Sequence, residues 1–187
     1  LSLLTSAGIF GIIIGFAAQK SIAMFLAGIQ LAITQPIRLD DVVIVENEWG
    51  RIEEITLTYV VVKIWDERRL VLPVTWFLEK PFQNWTRTSA QITGTIFIYV
   101  DYNFPVECIR SALPDMLKKS PDWDGRFWNV QVTKATEQYK EIRLMLTSAD
   151  SSKNWDLRAA IREELIDFIN VNYPDTFAKI RIKKENI

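Results

Sequence analysis

The residue types that usually carry covalent or proton-transfer chemistry are thin in this chain. Histidine is absent from all 187 residues, which removes the usual neutral-pH proton shuttle and the commonest metal ligand together. Cys108 is the sole cysteine, so no internal disulfide can form, and its apolar-periodic surroundings read as those of a buried, inert thiol. Glu53, Glu54, Glu67, Arg68 and Arg69 read as exposed hairpin charges, and the pair Glu163-Glu164 as a helix surface. No nucleophile elbow, phosphate-binding loop or metal-ligand spacing occurs. We therefore assign no catalytic residue, no metal ligand and no cofactor. The 22 basic and 23 acidic side chains nearly cancel. Such a chain has no single-signed field for gathering a polyanion, and nucleic acid is not an expected partner.

The residues with a distinctive physical task lie at the start. Positions 1–35 hold one ionisable side chain, Lys20, and all others follow from Arg38 onward. A membrane-grade segment is joined to a soluble one. Residues 1–19 are uncharged and, as a helix, would cover about 28 Å, roughly a bilayer core. Gly11 and Gly15 are four apart and share a face, with Ala7 and Gln19 in line; Gly8 lies near them. Ile9, Ile12 and Phe16 form a neighbouring stripe. Each glycine would cost roughly 1 kcal/mol against alanine in a solvated helix, so close helix packing is the reason for their presence. If several copies surround an axis, small faces meet bulky ridges, and Ile12 with Phe16 form apolar rings. An ordinary transmembrane helix packed inside its own subunit fits the same composition, and glycine spacing does not separate the two.

After Gln19-Lys20 the apolar residues Ile22, Phe25, Leu26, Ile29 and Ile33 recur at helical spacing up to Gln35-Pro36. They predict a second, amphipathic helix lying near the membrane surface. Pro36 disfavours helix at Gln35 and forces a turn. The chain opens on LSLLTSAG without Met, so we expect further transmembrane helices upstream of it.

Beyond Pro36 the period changes from helix to strand. The apolar run 42–45, the turn chemistry of Asn47-Glu48-Trp49-Gly50 and the β-branched stretch 58–65 predict short strands. The charged tip Asp66-Glu67-Arg68-Arg69 predicts a hairpin, with Pro73 ending its second strand. Positions 92–100 alternate as a strand, and Asn103 is placed to cap a helix whose Val106, Ile109, Leu113 and Leu117 share a face. Pro114 predicts a kink or an early end there. Segments 130–135 and 141–146 predict paired strands, Leu157, Ile161, Leu165, Phe168 and Ile169 an amphipathic helix, and 177–183 a last strand. The order βαββαβ is that of a ferredoxin-like split sheet.

The stretch GFAAQKSIAMFLAGIQLAITQPIRLDDVV, residues 15–43, resembles the pore helix and following turn of the small-conductance mechanosensitive ion channel (MscS) family. The segment Glu48-Trp49-Gly50-Arg51-Ile52-Glu53-Glu54-Ile55 is similar to the turn and strand of that family's Sm-like β domain. WDERRLVLPVTWF, residues 65–77, is similar to its hairpin, and the βαββαβ tail to its cytoplasmic domain. The resemblance implies a pore helix plus an interfacial helix over 1–35, an Sm-like β domain over 36–85 and a ferredoxin-like α+β domain over 86–187. It implies a homo-oligomer, usually a heptamer, in the inner membrane, with the β and α/β domains in the cytoplasm. Its partners would be copies of itself, membrane lipids and permeating ions, and its activity passive ion flow under membrane tension.

Carried over residue by residue, the resemblance implies gate positions at Ile12 and Phe16, packing positions at Gly8, Gly11 and Gly15, and a helix break at Gln19 and Lys20. Lys20 stands where a bending glycine is common, Met24 where asparagine is frequent, and Gln35 where arginine precedes the proline. Pro73-Val74-Thr75 departs from the family's Pro-Asn-Ser, and Phe16 is bulkier than the usual leucine, which predicts a narrow constriction. Segment 177–183 joins an inter-subunit barrel or closes its own sheet. A membrane-anchored scaffold and an Sm-like RNA-binding module are the alternatives to a channel.

Overall fold

The computed structural model describes residues 2–178, with side chains from Gly8 onward except that of Ile9. The chain divides into two compact units, Leu1–Ser89 and Ala90–Ile187.

The first unit begins with α1 (Ser2–Thr34), a single helix of 33 residues that extends about 50 Å at helical rise. Two helices separated at Gln19-Lys20 were expected, and the structure corrects this: α1 runs through both residues. Glutamine and lysine are good helix formers, and neither removes a backbone donor, so nothing in the covalent chain enforces a break before Pro36. There the helix does end. Gln35 adopts φ 44°, its N–H bonding Leu31 O at 2.8 Å, and proline follows, as helix C-termini commonly close.

A five-stranded antiparallel sheet follows, built from β1 (Val42–Val45), β2 (Glu48–Ile55), β3 (Tyr59–Ile64), β4 (Arg69–Pro73) and β5 (Gln83–Asn84), in the order β4-β3-β2-β1-β5. Val45 pairs Glu48, so the first hairpin turns on Glu46 and Asn47, both at positive φ. That is the two-residue turn whose twist suits a hairpin, and it lies one residue earlier than the expected Asn47-Glu48-Trp49-Gly50. A bulge between Ile52 and Glu54 bends β2. Helix α2 (Val74–Glu79) and the short β5 were not anticipated. Val74, Trp76 and Phe77 of α2 complete a core made by Val43, Val45, Ile52, Val60, Val62, Ile64 and Leu72. Each such side chain, fully buried, contributes roughly 1.5–3 kcal/mol.

The second unit contains β6 (Ile92–Val100), α3 (Val106–Lys119), β7 (Trp128–Ala135), β8 (Lys140–Ser148) and α4 (Ser151–Asn172). Its antiparallel sheet has the order β6-β8-β7. Phe177 forms a single antiparallel bridge to Val100; the remainder of the expected strand 177–183, from 179 on, lies outside the described residues. Alternate residues Ile96, Ile98, Val100, Ile142, Leu144 and Leu146 face Ile109, Leu113, Leu157, Ile161 and Leu165 of the two helices in one core. Gly94 allows α4 to approach β6, since a Cβ there would lie 2.0 Å from Asn154 Oδ1.

Two local expectations differ from what is found. The cap position of α3 is Pro105, not Asn103; Asn103 instead donates its N–H to Asp101 Oδ1 at 3.3 Å. Pro114 does not end α3, which continues to Lys119. A mid-helix proline costs about 3 kcal/mol, but Met116 and Leu117 beyond it are buried in the core, and two such side chains offset that cost.

Candidate functional site

Along the first half of α1 the large apolar side chains are exposed among the described residues. Ile12 is 62% and Phe16 74% exposed, and Phe10, Ile13 and Ile14 are comparably bare. An apolar surface of this extent is not left in water by a stable soluble fold, and residues Phe10–Thr34 are long and apolar enough to cross a bilayer. Ile12 and Phe16 lie four apart on one stripe, as their spacing required. Gly8, Gly11 and Gly15 lie on the same helix, and an added Cβ at any of them would meet nothing within 4 Å. Gln19 and Lys20 are exposed at mid-helix.

The second half of α1 is anchored. Ala27 and Leu31 are buried in the core of the first unit, with Met24 packed against it. Gly28 makes the seat possible: a Cβ there would stand 2.1 Å from the backbone oxygen of Leu57, in the turn joining β2 to β3. Any larger residue would lift the helix from that turn.

The exit from α1 is held by a buried carboxylate that sequence reasoning missed. Asp41 is 8% exposed. Its Oδ2 accepts from Arg38 N at 2.9 Å and from Asn84 Nδ2 at 2.7 Å, and its Oδ1 accepts from the Thr86 hydroxyl at 2.9 Å. Thr86 Oγ1 in turn accepts from Val42 N at 2.9 Å, and Trp85 N donates to Val42 O at 2.8 Å. Arg87 closes the arrangement by donating from its guanidinium to the Gln35 carbonyl at the helix terminus. A charge set directly against the apolar run Val42-Val43, with Asn84 and Thr86 after a second apolar stretch, was the available signal. Its side-chain partners Asn84 and Thr86 are more than 40 residues away, so the pairing was not visible.

The hairpin charges pair with one another. Arg69 Nε and Nη2 each donate to the Glu53 carboxylate at 3.1 Å, and these bonds hold its pKa below the ordinary value. Arg68 bridges Asp66 at 2.6 Å and Glu48 at 3.1 Å. A shallow groove of about 480 Å³ runs beside Trp76 and Phe82. Its Glu46 is already engaged by Lys80 at 3.0 Å and Trp76 Nε1 at 2.8 Å, so the groove presents packing, not an open polar contact. Cys108 is half-buried, less than expected; burial pushes its thiol up, and it donates to Pro105 O.

Residues 20–87 match the family model for the β-domain of mechanosensitive ion channels. The chain is 28% identical over 80 residues to the miniconductance mechanosensitive channel MscM of Escherichia coli, covering 43% of this chain and 7% of that one. It is 31% identical over 112 residues to the small-conductance mechanosensitive channel MscMJ of Methanocaldococcus jannaschii, covering 59% of this chain and 31% of that one. It therefore spans a minor part of both relatives. Its backbone superposes on the closed-state crystal structure of Helicobacter pylori MscS with a TM-score of 0.86 at 18% identity, covering all of this chain and 74% of the other. At that identity the likeness establishes the fold: one apolar N-terminal helix followed by β-rich domains. The apolar helix, the β unit seated on its second half and the matched segment from Lys20 onward agree: residues 20–87 match the β-domain of mechanosensitive ion channels, and the chain shares the fold of the small-conductance (MscS) channel structure.

Proposed function

We propose that this chain is the pore-forming and cytosolic part of one subunit of a homo-oligomeric mechanosensitive channel, opened by membrane tension and passing ions passively on hypoosmotic shock. The observation that carries the reading is the contrast within α1. Its second half is seated in a β core of its own chain, whereas Ile12 and Phe16 in the first half are exposed among the described residues. In this reading several copies, seven by family resemblance, surround an axis in the inner membrane. Gly8, Gly11 and Gly15 admit the ridges of neighbouring helices, and Ile12 with Phe16 form the dry constriction. Segment 36–85 acts as an Sm-like β domain and 86–187 as a ferredoxin-like α+β domain, both in the cytoplasm. The order β6-β8-β7 with the Val100–Phe177 bridge supports the latter, since a fourth strand beside β6 gives the split-sheet arrangement.

The mechanism follows from two balances. A narrow apolar ring excludes water and so blocks ions. Tension favours the conformation of larger in-plane area, because only a difference between the two states can shift their populations. Lipids solvate the outer faces of the helices, and no chemical step is involved.

Patch recording from membranes containing the full-length protein tests this. Currents rising with suction are expected, and Phe16→Ser is expected to hydrate the constriction and leak ions without suction. A bilayer silent up to rupture, with Phe16→Ser equally silent, would leave a scaffold in place of a channel.

A further inference from the structure

The unbroken course of α1 places its one charge in line with the constriction. With about 100° between successive residues, Phe16 is displaced about 40° around the helix from Ile12, and Lys20 about 40° further. The three therefore form one slowly drifting stripe, and Lys20 lies about 6 Å along the axis from Phe16. Lys20 is exposed. Among the described residues it makes no hydrogen bond or ion pair, and α1 contains no carboxylate to neutralise it. The side chains that seat α1 on the β core begin about one turn further on with Met24, followed by Ala27 and Leu31. They leave the lysine stem free.

We propose that Lys20 sets the ion preference of the pore: repeated in every copy, its ammonium groups form a positive ring one helical turn beyond Phe16, on the side of the β domain. The inference rests on the pore reading above. Rings of Lys or Arg concentrate anions and repel cations in a narrow passage, and charges facing one another across low-dielectric walls are screened less than charges in bulk water. The ring acts on which ion crosses and leaves the apolar constriction to decide whether any ion crosses. The competing placement, with each ammonium among lipid phosphates, would leave the permeating ion unaffected.

The test is the reversal potential of tension-activated currents from the full-length protein in a KCl gradient. The wild type is expected to reverse toward the chloride potential. Lys20→Gln should lower the chloride-to-potassium permeability ratio by about three-fold or more, Lys20→Glu should carry it past unity toward potassium, and Lys20→Arg should retain the wild-type value. Should Lys20→Glu assemble no channels, the comparison of Lys20→Gln with Lys20→Arg decides alone. Equal reversal potentials in the wild type and the Gln and Glu variants overturn the proposal and leave the channel reading intact. A wild type with no tension-activated current defeats the channel reading, and this inference with it.

Discussion

Replacing Asp41 by alanine removes one carboxylate and unmakes three hydrogen bonds, those from Arg38 N, Asn84 Nδ2 and the Thr86 hydroxyl. A hydrogen bond to a charged acceptor is worth about 1.5–3 kcal/mol. The three do not add fully, because Asn84 and Thr86 are only part-buried and regain some bonding to water. A net loss of about 3 kcal/mol is the reasoned figure. The loss should be local first, since the carboxylate joins the exit of α1 to β1 and to the segment after β5. The Val42 and Trp85 amides, bonded to Thr86 Oγ1 and Val42 O, report it directly. Hydrogen exchange on the purified assembly should accelerate at these two amides by roughly a hundred-fold, the factor corresponding to that free energy. Asp41→Asn, which keeps an acceptor oxygen but loses the charge, should fall between. If exchange at both amides in Asp41→Ala stays within about three-fold of wild type, the carboxylate is not what holds this junction.

Two further substitutions probe the units separately. Gly28→Ala forces a Cβ against the Leu57 backbone oxygen, so the seat of α1 should weaken by about 1–3 kcal/mol, read as a lower midpoint of thermal unfolding; an unchanged midpoint would mean that the turn yields freely. Burial opposes ionisation of Asp124, but bonds from Thr147 at 2.5 Å and Arg126 at 2.6 Å hold its carboxyl below the ordinary value. Its contribution to stability is therefore present above the unfolded-chain pKa of about 3.9 and disappears as pH falls through the lower folded value. Asp124→Asn should accordingly melt lower at neutral pH and lose less stability than wild type on acidification below about pH 4, measured as unfolding midpoint against pH.

What could be read from the chain depended on the range of the interaction. The strand at Ile92–Val100 was legible because its alternation is local, and the helix through Leu157 and Ile169 because its period is. The hairpin tip at Asp66-Glu67 was legible from its charges. The unbroken passage of α1 through Gln19 and Lys20 differs from the two-helix expectation, although both residues individually favour helix; the polar interruption of the apolar run suggested a break that local propensity does not demand. The short α2 was missed because Val74-Thr75-Trp76-Phe77 has no helical period long enough to detect and is fixed by burial of its aromatic side chains. The Asp41 cluster was missed for the opposite reason. Its donors are ordinary loop residues until the sheet brings β5 beside β1.

These two features, a seated half and a bare half of one helix, explain each other energetically. Gly28 abuts a backbone oxygen of its own chain, whereas Gly8, Gly11 and Gly15 face open space. A glycine in open space forfeits about 1 kcal/mol of helix propensity with no return, and three on one helix amount to about 3 kcal/mol, a substantial fraction of the stability of a small domain. Lipid tails impose no such requirement, since they pack as readily against alanine. The cost is recovered only where another backbone approaches as closely as Leu57 approaches Gly28. Within the described residues of this chain nothing approaches the other three, and in the proposed channel a neighbouring copy of α1 would supply the missing close contact.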